Sequence, residues 1–211
     1  MHLEQKGFLT FAQNSEVDYL RLAYIQAMSV KLVMPGSSYS VIVDKPTFDE
    51  VTEQHRKVFD HVIVLENDLA ENESWKLSNE WQAFALTPYK ETIKLESDIV
   101  FPQTIEHWWE TFRLRDVVLS QGCSDYLGNP SHSRAYRRLF DDNQLPDVYN
   151  GLMYFRYSQT ASDFFTIAQQ IFKNWVPVRD QYLKNCIDLR PSTDLVYAIV
   201  AGVMGLEICT I

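Results

Sequence analysis

The stretch SYSVIVDKPTFDEVTEQHRKVFDHVIVLE, residues 38 to 66, contains two short apolar runs separated by a polar segment. The runs 38–44 and 61–66 are rich in β-branched residues and have polar borders, which predicts two buried strands. The segment between them, from about Pro46 to Phe59, predicts a polar helix. A helix between two strands is the crossover that brings them together in parallel, so this stretch predicts a parallel β-sheet.

The residues before this stretch show the same alternation. GFLTFA (7–12) predicts a buried strand. VDYLRLAYIQAMSVKLV (17–33) has apolar residues at helical spacing, with Ser15 as the expected N-cap and Pro35-Gly36 at its end. The order β-α-β-α-β predicts an α/β, Rossmann-like fold with a mostly parallel sheet and helices on both faces. A length of 211 residues favours one domain spanning 1–211.

The rest of the chain continues as alternating helices and strands. Helices are predicted at 75–86, 105–115, 133–143, 162–176 and 192–205, the last of them capped by Ser192 or Thr193 and closed by Gly205. Strands are predicted at 91–101, 116–122, 148–158 and 206–211.

Composition and charge exclude several classes of protein. The net charge of −9 disfavours a large nucleic-acid footprint, and the cluster Arg134, Arg137 and Arg138 is expected to form a solvated helix face. No apolar run of roughly 18 residues and no secretory signal occurs, so we expect no membrane association. Three dispersed cysteines without a CxxC pair fit a reduced, cytoplasmic setting.

Two acids stand at the end of an apolar run in ETIKLESDIVFP (91–102). Side chains two residues apart in an extended chain point the same way, so Glu96 and Asp98 share a side. Ligands of open α/β sheets bind beyond the carboxyl ends of the strands. Paired carboxylates there would repel each other unless a cation lay between them, which indicates a site for Mg²⁺ or Mn²⁺. The alternative is a strand that runs out into solvent.

The chain also resembles a known family. TPYKETIKLESDIVF (87–101) is similar to the segment of GT-A glycosyltransferases in which a strand ends in Asp-x-Asp after a P-[FY]-x-x-[TV] turn. More narrowly, the chain resembles nucleotide-sugar glycosyltransferases encoded by tailed bacteriophages. The similar segments follow in order over nearly the whole chain: GFLTFAQN, SWKLSNEWQAFALTPYKETIKLESDIVF, HWW, LPDVYNGLMYFR, FFTIAQQIFKNW and TDLVYAIVAGVMG.

The resemblance implies roles for individual residues. Glu96 and Asp98 match the metal- and diphosphate-binding pair, and Asp194 and Asn150 match polar groups beside the reacting sugar. These two are the candidates for stabilising the positive charge that grows on the sugar ring, by analogy with glycoside hydrolysis. The implied donor-binding residues are Ala12, Gln13, Asn14, Lys76, Asn79 and Gly151.

The resemblance further implies a metal-dependent hexosyl- or pentosyltransferase that uses Mn²⁺ or Mg²⁺ and a UDP- or GDP-linked sugar. The acceptor would be a hydroxyl of a modified base such as hydroxymethylated DNA, of a protein or of a glycan, in the host cytoplasm if the chain is phage-encoded. The three clustered arginines could deliver a flipped base. Both inversion and retention are compatible with the sequence.

Two features depart from the family pattern. The first acid is Glu96, where the family has Asp. Many members also have a later metal ligand, often His, and no histidine follows His132 here. We expect either an open metal site or a chain that lacks a C-terminal segment. Two alternatives therefore stand: a non-catalytic nucleotide-binding GT-A module, and a metal-dependent nuclease or phosphatase, which would need a third acid or a Lys such as Lys94.

Overall fold

The computed structural model describes residues 3–124, 127–130, 137–206 and 209–210. Its centre is a seven-stranded sheet in the order β3-β2-β1-β4-β6-β5-β7. Only β6 among these strands runs antiparallel to β1. The strands are β1 (Glu4–Ala12), β2 (Tyr39–Val43), β3 (His61–Val64), β4 (Tyr89–Leu95), β5 (Val117–Gln121), β6 (Val148–Arg156) and β7 (Cys209–Thr210).

Helices cover both faces of this sheet. One apolar core lies between the sheet and α1 and α5, and a second lies between the sheet and α4, α7 and α9. The helices are α1 (Tyr19–Val33), α2 (Lys45–Asp49), α3 (Glu53–Arg56), the 3-10 helix Leu77–Gln82, α4 (Ala83–Leu86), α5 (Trp108–Phe112), α6 (Arg138–Asp142), α7 (Gln159–Lys173), α8 (Trp175–Tyr182) and α9 (Thr193–Met204). The predicted α/β class, with a mostly parallel sheet and two helical layers, is confirmed.

The described residues contain no helix that is both long and apolar enough to cross a bilayer.

Short polar side chains define the ends of the long helices. Asp18 begins α1, accepting a hydrogen bond from the Arg21 backbone N–H at 2.9 Å, so the predicted cap at Ser15 is wrong. Ser192 begins α9 as predicted, and Gly205 ends it with a left-handed backbone (φ 67°) that glycine adopts without strain.

Several predicted helices differ from the structure. The helix predicted over 105–115 is only Trp108–Phe112, and the one predicted over 162–176 runs from Gln159 to Lys173. The polar segment between β2 and β3 forms two short helices, because Thr52 is extended and opens a second helix with a capping box to His55. The segment 75–86 is mainly the 3-10 helix, whose Asn79, Glu80 and Gln82 are buried. The helix predicted over 133–143 is described only from Arg138, and Arg134 lies outside the described residues.

The order of the strands reverses at β1. The chain first builds outward through β2 and β3 on one side and then returns to place β4 on the other side. The crossovers that leave β1 and β4 therefore diverge, which opens a crevice beyond the carboxyl ends of these two strands. Gln13 and Asn14 follow β1 and the acids Glu96 and Asp98 follow β4, so all four stand at this crevice.

Candidate active site

The acid pair lies in a turn just beyond β4 rather than within the strand. Gln26 of α1 holds this turn, donating from its side-chain amide to the carbonyls of Glu96 (2.5 Å) and Ile99 (3.0 Å). On the other side, the Glu96 N–H donates to the Gly151 carbonyl of β6 at 3.0 Å. Glu96 is half-buried and Asp98 is exposed. The turn is thus fixed from both neighbours and presents one shielded and one open carboxylate.

Both acids line a cavity of about 280 Å³ at the crevice, which we call the inner cavity. Gln13, Tyr19, Trp75 and Lys76 form much of its remaining wall. Gln13 is 4% exposed, and its side-chain amide donates to Asp44 at 3.5 Å. Of the residues predicted to bind a donor, Gln13 and Lys76 are the two whose side chains reach this cavity.

Asn79 supports Gln13 instead of facing the cavity. It is fully buried, and its amide donates to Gln13 Oε1 (3.1 Å) and Asp68 Oδ1 (2.7 Å). Its oxygen accepts from the Leu69 N–H and from the Gln82 side chain. The predicted direct contact between Asn79 and a donor or the acid pair is therefore corrected, because these bonds occupy both ends of its amide. Asn79 positions Gln13.

The side chains of Ala12 and Asn14 stabilise the structure around the crevice. The Ala12 side chain is fully buried in the core under α1. The Asn14 backbone N–H donates to Thr47 at 2.8 Å, its side chain donates to Glu50 at 2.7 Å, and its oxygen accepts from the Leu20 N–H at 2.9 Å. Asn14 therefore ties the end of β1 to the starts of α1 and α2.

The Lys76 ammonium is held close to the inner cavity. It donates to the Ala70 carbonyl at 2.8 Å and lies 3.4 Å from Asp44 Oδ2. Asp44 is buried and also accepts from Thr47 at the start of α2. The lysine thus presents positive charge at the crevice from a fixed position.

A buried ammonium group lies beneath the acids. Lys94 of β4 is fully buried, forms an ion pair with Glu80 of the 3-10 helix and donates to Asn150 Oδ1 at 3.2 Å. The Asn150 amide then donates to Glu96 Oε1 at 3.4 Å. Lys94 shares the acids' side of the strand, as alternation predicts, but its ion pair leaves it unsuited to the free lysine that a nuclease would use.

The electrostatic environment of Glu96 favours an added cation. Burial raises its pKa to about 7, and Lys94 opposes this shift. The charges of Asp194, Glu80 and Asp98 raise it further. An ionised Glu96 is therefore costly in the isolated protein, and positive charge placed beside it would recover that cost.

Asp194 is fixed at the first turn of α9. It accepts from the Arg137 guanidinium at 2.7 Å and from the Asn150 N–H at 2.8 Å. Burial raises its pKa, although the Asn150 N–H and the Arg137 charge oppose the shift. Arg137 also pairs with Asp147 and is 2% exposed. The expectation that Arg137 lies on a solvated helix face is therefore wrong, because its charge is used to hold this acid.

Tyr149 and Gly151 form the wall beside the acids. A Cβ atom at Gly151 would lie 2.3 Å from Tyr149 Cε1, so the glycine makes room for the ring. The tyrosine hydroxyl interacts with Glu96, and burial followed by the charges of Glu96, Asp98 and Asp194 raises the pKa of Tyr149. Tyr149 therefore stays protonated at neutral pH and can donate toward the acid.

A second cavity of about 800 Å³, which we call the outer cavity, lies on the far side of Glu96. Asp194 and Tyr149 line it near the acids, and Leu139 and the loop 187–190 line it farther out. Glu96 and Trp75 line both cavities. The site is therefore two adjoining chambers that meet at a carboxylate.

Two residues of the site, Gln26 and Tyr149, were not predicted from the sequence. Gln26 carried a usable signal, since it is a polar residue on the otherwise apolar buried face of α1. Tyr149 carried none, because an aromatic residue in a strand ordinarily indicates core packing.

Comparisons with known proteins agree on the fold. No family model and no curated protein matches the sequence. Among solved structures, galactosyltransferase LgtC with donor and acceptor sugar analogues matches at TM-score 0.62 and 13% identity, covering 97% of this chain and 72% of that one. Mouse xyloside xylosyltransferase 1 matches at TM-score 0.59 and 9% identity, covering 99% and 85%.

A third structure, the 4-diphosphocytidyl-2C-methyl-D-erythritol synthase of Anaerococcus prevotii, matches at TM-score 0.52 and 8% identity, covering 99% of this chain and 86% of that one. The fold is thus that of GT-A glycosyltransferases. It also occurs in this synthase, whose name is not that of a glycosyltransferase. The comparisons give no sequence evidence for the narrower resemblance to phage enzymes.

The first prediction concerns the buried ion pair. Lys94→Met should destabilise the protein by about 3–5 kcal/mol, because it leaves Glu80 charged and uncompensated in the interior. Adding Glu80→Gln should recover most of that loss. The control is Lys31→Met, which breaks a half-exposed pair with Asp60 and should cost about 1 kcal/mol or less. Urea unfolding measures all three, and equal losses for Lys94 and Lys31 would contradict the assignment.

The second prediction concerns pH. The pKa of Glu96 is about 7 in the folded chain and about 4.3 in an unfolded one, so folding favours its protonated form. The metal-free protein should therefore lose stability as pH rises between these values, by on the order of 3 kcal/mol, and then level off. Glu96→Gln should remove this slope.

The measurement is chemical unfolding in chelator at pH 5 and pH 8. The margin by which Glu96→Gln exceeds the parent should grow with pH. The same change at the exposed Glu16 is the control and should alter stability equally at both pH values. A margin for Glu96→Gln that stays constant with pH would refute the buried, acid-crowded position of this carboxyl.

The third prediction concerns Gly151. Its change to Ala should cost about 1–3 kcal/mol, because the new methyl group overlaps the Tyr149 ring. In a Tyr149→Ala background the same change should cost far less, which a double-mutant cycle in thermal unfolding would show. Gly202→Ala is the control. Its Cβ would make only an ordinary 3.9 Å contact with Leu145, so it should be neutral or stabilising.

Proposed function

We propose that this chain is a nucleotide-sugar glycosyltransferase. The observation that carries the proposal is the meeting of two cavities at Glu96, beyond the carboxyl ends of β1 and β4. A transfer enzyme needs adjoining places for donor and acceptor, and the strand-order reversal is where open α/β sheets bind nucleotides. The likeness to LgtC and to xyloside xylosyltransferase 1 supports the fold that this proposal requires.

The donor would occupy the inner cavity. Gln13, held by Asn79, would contact the nucleotide, and the Lys76 ammonium would lie near the negative charge of the diphosphate. Gly151 would act indirectly, because it leaves room for the Tyr149 ring and its carbonyl accepts from the Glu96 N–H. We propose UDP- or GDP-linked sugars as the donor class.

The residues fit a divalent cation with two protein ligands. No group of three or more His, Cys, Asp or Glu side chains converges as metal ligands within the described ranges. Glu96 and Asp98 share a cavity, and burial, together with the smaller effect of the neighbouring acids, raises the pKa of Glu96. A cation placed between the two carboxylates would favour the ionised form of Glu96. We propose that these two carboxylates hold Mn²⁺ or Mg²⁺. When bound, the cation would stabilise charge on the departing diphosphate.

The chain's own groups would act on the sugar and the acceptor. The acceptor hydroxyl oxygen forms a bond to the anomeric carbon as the bond from that carbon to the diphosphate oxygen breaks. The electron pair of the broken bond leaves with the diphosphate, and the hydroxyl proton passes to an oxygen of the departing diphosphate or to water. Asp194 lines the outer cavity, so its carboxylate can stabilise positive charge on the ring. Asn150 would position Lys94 and Glu96 and would not contact the sugar, because its side chain already bonds to both of these residues.

The fourth prediction tests the donor site by thermal shift. A fitting UDP- or GDP-sugar with Mn²⁺ at about 100 times its dissociation constant should stabilise the protein by about 2.7 kcal/mol. Glu96→Gln and Asp98→Asn should remain folded and lose the metal-dependent part. Asp163→Asn, an exposed acid on α7, is the control and should keep it. If both site variants respond as the parent does, the acid pair is not the donor site.

Turnover assays with the same ligands separate the remaining candidates. Slow Mn²⁺-dependent hydrolysis of the nucleotide-sugar would count against a non-catalytic module. Stabilisation by a nucleotide-sugar, with no cleavage of DNA or phosphate esters, would count against a nuclease or phosphatase.

A further inference from the structure

The rim of the outer cavity carries exposed aliphatic side chains. Ile187 is 86% exposed and Leu189 is 78% exposed, and both line the cavity. Trp75 and Leu139 continue this apolar lining inward. Scattered apolar residues are ordinary on a protein surface, but a set that lines one mouth indicates a binding surface.

The loop that carries this rim is fastened through its backbone. The Asp188 carbonyl accepts from the Trp175 indole at 2.9 Å and from the Arg179 guanidinium at 2.9 Å. The Pro191 carbonyl accepts from the Trp75 indole at 3.1 Å. Neighbouring Cys186 packs against the core. These hydrogen bonds fix the backbone at Asp188 and at Pro191. The positions of the adjacent Ile187 and Leu189 at the mouth of the cavity are therefore set by the fold.

The outer cavity combines polar groups with apolar side chains. The carboxylates of Asp194 and Glu96 and the hydroxyl of Tyr149 line it and bond well to alcohol groups. The exposed loop adds the aliphatic Ile187 and Leu189, beside the charged Asp188 and Arg190. A ligand that matches this lining has hydroxyls for the polar groups and an apolar body for Ile187 and Leu189.

The charges near this cavity disfavour a phosphodiester. Asp188 at the rim, together with Asp194 and Glu96, would repel phosphate groups. Arg137 is committed to Asp194 and Asp147, and Arg190 lies 3.4 Å from Glu73. Arg137 and Arg190 are thus both engaged with acids.

From these observations we infer that the outer cavity binds a glycoside with an aryl aglycone as the acceptor, its sugar hydroxyls toward Asp194 and its aglycone against Leu189 and Ile187. The assignment of this ligand as the acceptor rests on the proposed function, since it takes the inner cavity as the donor site. The volume of about 800 Å³ suits a ligand of this size.

The experiment compares phenyl and methyl glycosides of the same hexoses and pentoses by calorimetry on the full chain. The phenyl glycoside should bind about 10-fold more tightly, because only it has a ring to bury at the rim. Leu189→Ser should reduce this ratio at least about threefold. The control is Leu114→Ser, since Leu114 is equally exposed at 78% and lies outside the cavity.

Each outcome bears on the inference. Equal affinity for the two glycosides, or an unchanged ratio in Leu189→Ser, would overturn it. So would tighter binding of a hydroxymethylated oligonucleotide, or a dimer that light scattering shows to be lost in Leu189→Ser. Donor binding is measured separately: no response to any nucleotide-sugar, with the phenyl preference intact, would refute the proposed function while the aglycone site stands.

Discussion

The site depends on one buried ammonium group. Lys94 stands in the middle of the sheet with no exposure to water, which is costly unless its charge is balanced. Glu80 pairs with it, Asn150 accepts from it, and its charge opposes the rise in the pKa of Glu96. The 3-10 helix, β4 and β6 are therefore joined beneath the acids by a single charge.

This balance leaves the site acidic, which is a physical reason to infer a cationic ligand. The charge of Lys94 acts on Glu96 against the charges of three acids, Asp194, Glu80 and Asp98. Arg137 is committed to Asp194 and Asp147. Burial of a carboxylate whose charge is not fully compensated lowers the stability of the fold. Proteins keep such destabilising charges at functional positions, where a bound group of opposite charge offsets the cost. The cost of ionising Glu96 and the proposed use of the site thus have the same physical origin.

The sequence predicted the layers better than the contacts. Periodicity and short apolar runs identified all seven strands of the described sheet and the long helices, since these depend on local pattern. The acid pair was placed at a strand end from alternation alone. The role of Asn79 and the burial of Arg137 escaped prediction because each depends on partners far along the chain, Gln13 and Asp194. The antiparallel course of β6 also follows from packing that no local pattern records.

The fold alone does not select the reaction, since glycosyltransferases and a diphosphocytidyl-methylerythritol synthase share it. The two cavities are lined by different parts of the chain. All residues that line the inner cavity precede position 99, whereas most that line the outer cavity follow position 138. Glu96, Trp75 and Leu77 belong to both. Substitutions at the rim residues Ile187 and Leu189 can therefore change which ligand the outer cavity binds while the Lys94 network and the inner cavity stay intact. These side chains make none of the hydrogen bonds that hold the acids.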